Sequence, residues 1–105
     1  MKVKLNQELK GIDGITNLIN PSTKKVMTLR DACINSLCRP VEADNEKVKL
    51  EKYCLYKSIR DASSEIELEI EDVAFLKKMI GISQPQLIMG QCFEMIEGEI
   101  KKVKR

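Results

Sequence analysis

The stretch Glu65-Ile66-Glu67-Leu68-Glu69-Ile70 alternates acid and aliphatic without a break, a period of two that suits a β-strand with one buried face and one wet face. A chain carrying such a stretch is not read as an all-helical bundle, because a strand needs a pairing partner and a cover for its apolar side. Glutamates spaced two apart share the solvent side of that strand, where they deter pairing with other chains. They read as a solvated row, not as a catalytic or metal-binding set.

The N-terminal quarter offers further strands. Val3 and Leu5 alternate with lysines between Met1 and Leu9, and Gly11-Ile12-Asp13-Gly14 follows as a turn in which glycine supplies positive φ. Ile15, Leu18 and Ile19 suggest a second extended piece, and Asn20-Pro21-Ser22-Thr23 turns the chain into Lys25-Val26-Met27. The expectation is a small β-meander or irregular hairpin. The G-x-x-G spacing lacks the further glycine, Lys and Ser/Thr of a phosphate-binding loop, so it is read as a turn.

Elsewhere the apolar period is that of helices. Thr28 and Asp31 have the spacing of a capping box, opening a helix with Leu29, Ala32, Cys33 and Leu37 on one side and Arg39-Pro40 at its end. Asp44 is the expected N-cap of the longest helix, placed from Asn45 to Ala62. Val48, Leu55, Ile59 and Ala62 share one face of it, while Leu50 and Cys54 project nearly opposite. That second patch is expected to be covered by another element of the same chain, with a partner as the alternative. Glu71 and Asp72 suit the positive end of a third helix, with Val73, Phe75, Leu76, Met79 and Ile80 as its apolar face and Gly81 as its stop. Ser83 is the expected N-cap of a fourth helix with Pro85 in its first turn, running to about Glu97. Ile88, Met89, Cys92, Phe93, Met95 and Ile96 make a broad apolar face on it.

The predicted fold class is therefore α+β, a small antiparallel β region packed against about four α-helices. Residues 1–98 form a single domain and 99–105 a basic C-terminal tail. With two Phe, two Tyr and no Trp among 105 residues, the core must be aliphatic and sulfur-rich. The tail, Lys101-Lys102-Val103-Lys104-Arg105 at its end, reads as a solvated terminus; without stacking aromatics nearby, nucleic acid is not the expected partner.

Composition excludes much chemistry. The chain has no histidine, which removes Ser-His-Asp and Cys-His catalysis, imidazole metal sites and the usual near-neutral proton shuttle. Eighteen basic against sixteen acidic residues leave a net charge of +2, too balanced for electrostatics alone to imply a polyanionic partner. Apolar runs are too short for a membrane span or a secretory h-region, so a cytoplasmic location is expected. Cys33, Cys38, Cys54 and Cys92 lack the close spacing of a zinc site and are read as reduced, buried thiols acting as small hydrophobes.

The order of motifs carries a resemblance. Leu9-Lys10-Gly11-Ile12-Asp13-Gly14, the helix start Thr28-Leu29-Arg30, a charged helix, the acidic strand from Glu65, the helix from Asp72 to Gly81 and the closing helix from Met89 to Glu97 follow in turn. This arrangement resembles a group of small, mostly uncharacterised proteins encoded by tailed bacteriophages and prophages, over nearly the whole chain. The β start and the T-L-R opening of the helices are also similar to phage tail assembly chaperones. The resemblance implies action in the host bacterial cytoplasm and transfers no catalytic residue, since its motifs are structural punctuation and core positions.

The functional expectation is a non-enzymatic, phage-type protein-binding protein acting on a host or phage protein. The alternative is a virion morphogenesis factor, such as a tail assembly chaperone or small connector component, which would self-associate or bind tail or head proteins. An enzyme would have to work with Cys, Glu, Lys or Tyr alone, and no pair is placed for it. No catalytic residue, metal or cofactor is expected, and no membrane partner. Met27, Met79, Met89 and Met95 are expected mostly to fill the core, though any left exposed would offer an adaptable contact. The candidate protein interface is Leu50, Tyr53 and Cys54 on the long helix together with Leu87, which lies off the main stripe of the fourth. A homodimer is compatible with the unpaired edges of a small β region.

Overall fold

A computed structural model describes residues 2–97; the basic tail at 99–105 lies outside the described residues. Six elements follow in order: β1 (Lys2–Lys4), α1 (Leu29–Cys38), α2 (Glu46–Asp61), β2 (Glu65–Glu67), α3 (Ile70–Ser83) and α4 (Gln86–Glu97). The class is the expected α+β, with four helices against a two-stranded antiparallel sheet.

Strand β2 pairs with β1 with Val3 opposite Ile66, so the acidic stretch does join the N-terminal region. Its alternation is only half used as a strand. Leu68 is buried, but Ile70 already belongs to α3 and is 81% exposed. The helix claims this end of the stretch because Glu71 and Asp72 sit in its first turn, beside the positive end of the macrodipole, and because the Val73 N–H bonds to the Glu69 carbonyl.

Between β1 and α1 the chain closes on itself. The Leu18 N–H donates to the Leu9 carbonyl (3.0 Å), Met27 N–H to Leu18 (2.8 Å), and Leu9 N–H to Met27 (2.9 Å), a cyclic set of three bonds. Single bridges, Lys10 with Asn17, Ile19 with Val26 and Glu8 with Thr28, accompany them, so each extended segment pairs with both others. The expected irregular meander is thus a closed triangle. Asp13 holds one corner by accepting from the N–H groups of Ile15 and Thr16 (both 2.9 Å) and from the Thr16 hydroxyl (2.6 Å), with Gly14 beside it at φ 75°. The Gln91 side-chain amide pairs with the Lys10 backbone in both directions at 2.8 Å, supplying a further strand-like partner from α4.

The capping box of α1 forms as expected, with Thr28 accepting from Asp31 and the Asp31 carboxylate accepting from the Thr28 N–H at 3.0 Å. The next two N–H groups of that first turn, those of Leu29 and Arg30, donate to the carbonyls of Gln7 and Leu5. Three other boundaries differ from expectation. Asn45, not Asp44, caps α2, its side-chain oxygen accepting from Val48 at 2.9 Å, because Asp44 is engaged by Lys52. Gly81 does not stop α3, which runs to Ser83; a Cβ at Gly81 would lie 3.9 Å from both Met89 and Phe93, so its smallness serves the approach of α4. Ser83 therefore ends α3 instead of capping α4, and the Pro85 carbonyl accepts the first α4 N–H groups, from Ile88 and Met89.

Arg30 joins these parts. Its guanidinium donates to the carbonyls of Ile59 (3.0 Å), Arg60 (3.3 Å) and Ala62 (2.6 Å), and to that of Ser63, at the end of α2 where orphan carbonyls gather negative potential. One contiguous core lies inside, with Leu5, Leu9, Leu29, Leu76 and Ile80 fully buried at its centre. On α2 it is Leu55 and Ile59 that reach this core, while Val48 and Ala62 are half-buried. Met79 is buried and Met27, Met89 and Met95 pack against the core, so these four methionines are filling material.

Two outcomes follow. Arg30→Lys keeps the charge but cannot reach four carbonyls with a planar fork, and should cost ~1–3 kcal/mol in denaturant unfolding; an unchanged midpoint would show that the α2 end holds without it. The Thr16 hydroxyl, then the Ile15 and Thr16 N–H groups, lower the Asp13 carboxyl from its usual 3.8 to about 2. Its folded value lies below its unfolded one, so its stabilising effect is whole above about pH 4 and fades as pH falls towards 2. Carboxyl NMR titration of Asp13 should show that low midpoint, and Thr16→Val should raise it.

Candidate functional site

Helix α2 lies chiefly on α1, whereas α3 packs on α1 and α4. This arrangement leaves the outer surface of α2 without a covering layer. The expectation that another element buries Leu50 and Cys54 is therefore overturned: Leu50 is 61% exposed, Tyr53 54% exposed, and Cys54 lies open with them. The three residues form a single ridge along the helix, with an open groove on either side.

The first groove, about 780 Å³, runs between α2 and the chain leaving α1. Pro40, Val41, Tyr53 and Tyr56 give it an apolar wall, and Arg39 and Lys49 are its unburied cations. Lys52 forms its base, with 4% of the residue exposed, because its ammonium is ion-paired to Asp44 and donates to the Arg39 carbonyl at 3.3 Å. Burial of a lysine demands such partners. The pair also fixes the loop that shapes this groove. Tyr53 and Tyr56 stand 6.2 Å apart, with Lys57 and Arg60 over their respective rings one turn further along.

The second groove, about 420 Å³, lies between α2 and the start of α3. Leu50, Cys54, Leu55 and Phe75 line it, together with the carboxylates of Glu51, Glu71 and Asp72. Leu87 belongs to neither groove. It sits on α4, 39% exposed, so the structure assembles three of the four predicted interface residues and leaves the fourth apart.

Sequence reasoning missed a second apolar surface. Ile12 is 95% and Ile15 80% exposed at the Asp13 corner of the triangle, and Ile19 on the same triangle is 54% exposed. Ile15, Leu18 and Ile19 are expected only as one extended piece; the closed triangle turns Leu18 inward with Leu9 and Met27 and leaves Ile15 and Ile19 outside. The glycines flanking Ile12-Asp13 were the available signal that these side chains stand at a tip.

The cysteines divide into two pairs. Cys33 and Cys92 are buried, and desolvation pushes both thiols up, Cys92 to about 12 and Cys33 further, with a smaller contribution at Cys33 from the neighbouring Cys92 thiolate. Cys38 and Cys54 are exposed, which corrects the reading of all four as core thiols: Cys38 is the last residue of α1 and Cys54 lies on the uncovered face of α2. Among the described residues no group of three or more Cys, Asp or Glu is placed to hold a metal ion. No helix among them is long and apolar enough to cross a membrane. The ridge and its two grooves are suited to contact and shape matching.

No protein-family model matches this chain, and no curated protein or solved structure matches it.

A thiol titration separates the two classes of cysteine. At neutral pH two equivalents should react rapidly with an aromatic disulfide reagent, those of Cys38 and Cys54, and four after denaturation. Rapid reaction of all four in the native protein would contradict the burial of Cys33 and Cys92.

Proposed function

We propose that this chain is a non-enzymatic protein-binding domain that engages its partner through the outer surface of α2. The observation that carries the reading is the exposed ridge of Leu50, Tyr53 and Cys54 with an open groove on each side, in a protein whose other large apolar side chains are mostly internal. Tyrosine is among the residue types favoured at binding centres, and Tyr53 has the apolar body and polar tip such a position uses. The motif order around Thr28-Leu29-Arg30 and Asp72 to Gly81 supports placing it among phage-encoded proteins acting in the host cytoplasm, on a host or phage protein.

The virion morphogenesis reading has one observation in its favour. The isoleucine tip of the triangle is a second apolar surface on a different part of the molecule from α2, as a factor that bridges two assembly proteins would need. A tail assembly chaperone would be absent from purified virions, and a connector present in fixed copy number.

Leu50→Lys tests the main reading. The side chain is exposed, so thermal stability should change by less than about 0.5 kcal/mol, while capture of the partner from infected or uninfected host lysate should be lost. A Leu50→Lys chain that is as stable as the parent and still captures the partner would remove α2 from the interface.

A further inference from the structure

The two grooves beside α2 differ in charge. The one against α3 is lined by Glu51, Glu71 and Asp72 and by no basic side chain, around the apolar surface of Leu50, Cys54 and Phe75. Several acids elsewhere are matched, Asp44 by Lys52, Asp61 by Arg60, Glu97 by Lys77 and Asp31 by the Thr28 N–H. Among the described residues none of the three groove carboxylates has a hydrogen-bond or ion-pair partner. The α3 macrodipole favours Glu71 and Asp72, but Glu51 lies within α2 and gains nothing from a helix start.

From this we infer that the α2–α3 groove is a docking site for a basic amphipathic helix of a partner protein, one that lays apolar side chains on Leu50 and Phe75 and sets Lys or Arg against Glu51, Glu71 and Asp72. The inference rests on the protein-binding reading and narrows it to one groove and one partner chemistry. The groove wall from Leu50 to Ser58 runs ~12 Å along α2, about two helical turns, which matches a pair of apolar anchors at i and i+4 or i and i+7. Unneutralised carboxylates repel nucleic acid and anionic lipid, and they select against acidic helices through like-charge contact.

The test uses the full chain and a synthetic helix of about 14 residues, Leu on one face and Lys on the other, ~20 Å long. Backbone NMR shifts on titration should be confined to residues 50–58 and 71–75, and binding should weaken as salt rises. Glu51→Lys and, separately, Leu50→Lys should each weaken binding about tenfold or more, with melting temperature unchanged because both positions are exposed; Glu94→Lys on α4 should have no effect. The inference is overturned if a Lys-only peptide of equal charge binds as well, if the shifts scatter over the surface, or if Glu51→Lys binds like the parent. It is also overturned if the peptide binds only after residues 98–105 are removed, or if a dimer of this chain excludes it. Loss of partner capture by Leu50→Lys without peptide binding would overturn this inference and leave the protein-binding reading standing.

Discussion

The Arg30 guanidinium is the contact on which the relative placement of the elements depends. Its backbone N–H bonds to Leu5 just beyond β1, its side chain spans the carbonyls of Ile59, Arg60, Ala62 and Ser63, and it is itself in the first turn of α1. One residue thereby ties the sheet, α1 and the end of α2. A helix C-terminus leaves several carbonyls without partners, and meeting them with one planar cation removes an electrostatic cost that water would otherwise have to meet. The next residues of the chain, from Glu65, are delivered directly to β1, so the same contact fixes where β2 pairs.

The triangle of Leu9, Leu18 and Met27 solves a related problem. Segments this short make poor strands, and an open three-segment meander leaves edges that invite pairing with another chain. Closing the set satisfies each of the three central N–H groups from the next segment. Gln91 then covers the Lys10 backbone from α4, which ties the triangle to the helical layer and leaves less free backbone for strand addition. Closure removes the edges of the triangle alone; the β1–β2 sheet is two-stranded and not closed.

What was legible in the sequence was local. The capping box at Thr28 and Asp31 needs only residues three apart, and the apolar stripes of α1, α3 and α4 need only a count of 3.6 per turn. Features set by distant residues were not legible. Lys52 stands on the inward face of α2 between Val48 and Leu55, yet nothing nearby in sequence announces that Asp44 and the Arg39 carbonyl will receive it. That pairing in turn moved the α2 cap to Asn45. The alternation from Glu65 to Ile70 was read as one strand because period two was its strongest signal; the competing helix signal in Glu71 and Asp72 lay just beyond it and prevailed at Ile70. For the candidate site, Leu50 and Cys54 were correctly placed opposite the core-facing stripe, but whether another element covered them depended on where α3 packs.

That packing also explains why the outer face of α2 is left uncovered. Helix α1 is central, touching α2, α3 and α4, so its sides are used up. Helices α3 and α4 form an antiparallel pair held by Gly81 against Met89 and Phe93 and by the Lys77–Glu97 ion pair, so they shield one another. Helix α2 is anchored at both ends, by Lys52 and Asp44 near its start and by Arg30 at its finish, and so needs less lateral burial to stay in place. Its outer side chains are released from a structural task. A rigid helix whose outward residues carry no packing duty can change its apolar and charged pattern to suit a partner without loss of the fold, and on such an element a binding surface costs the domain least.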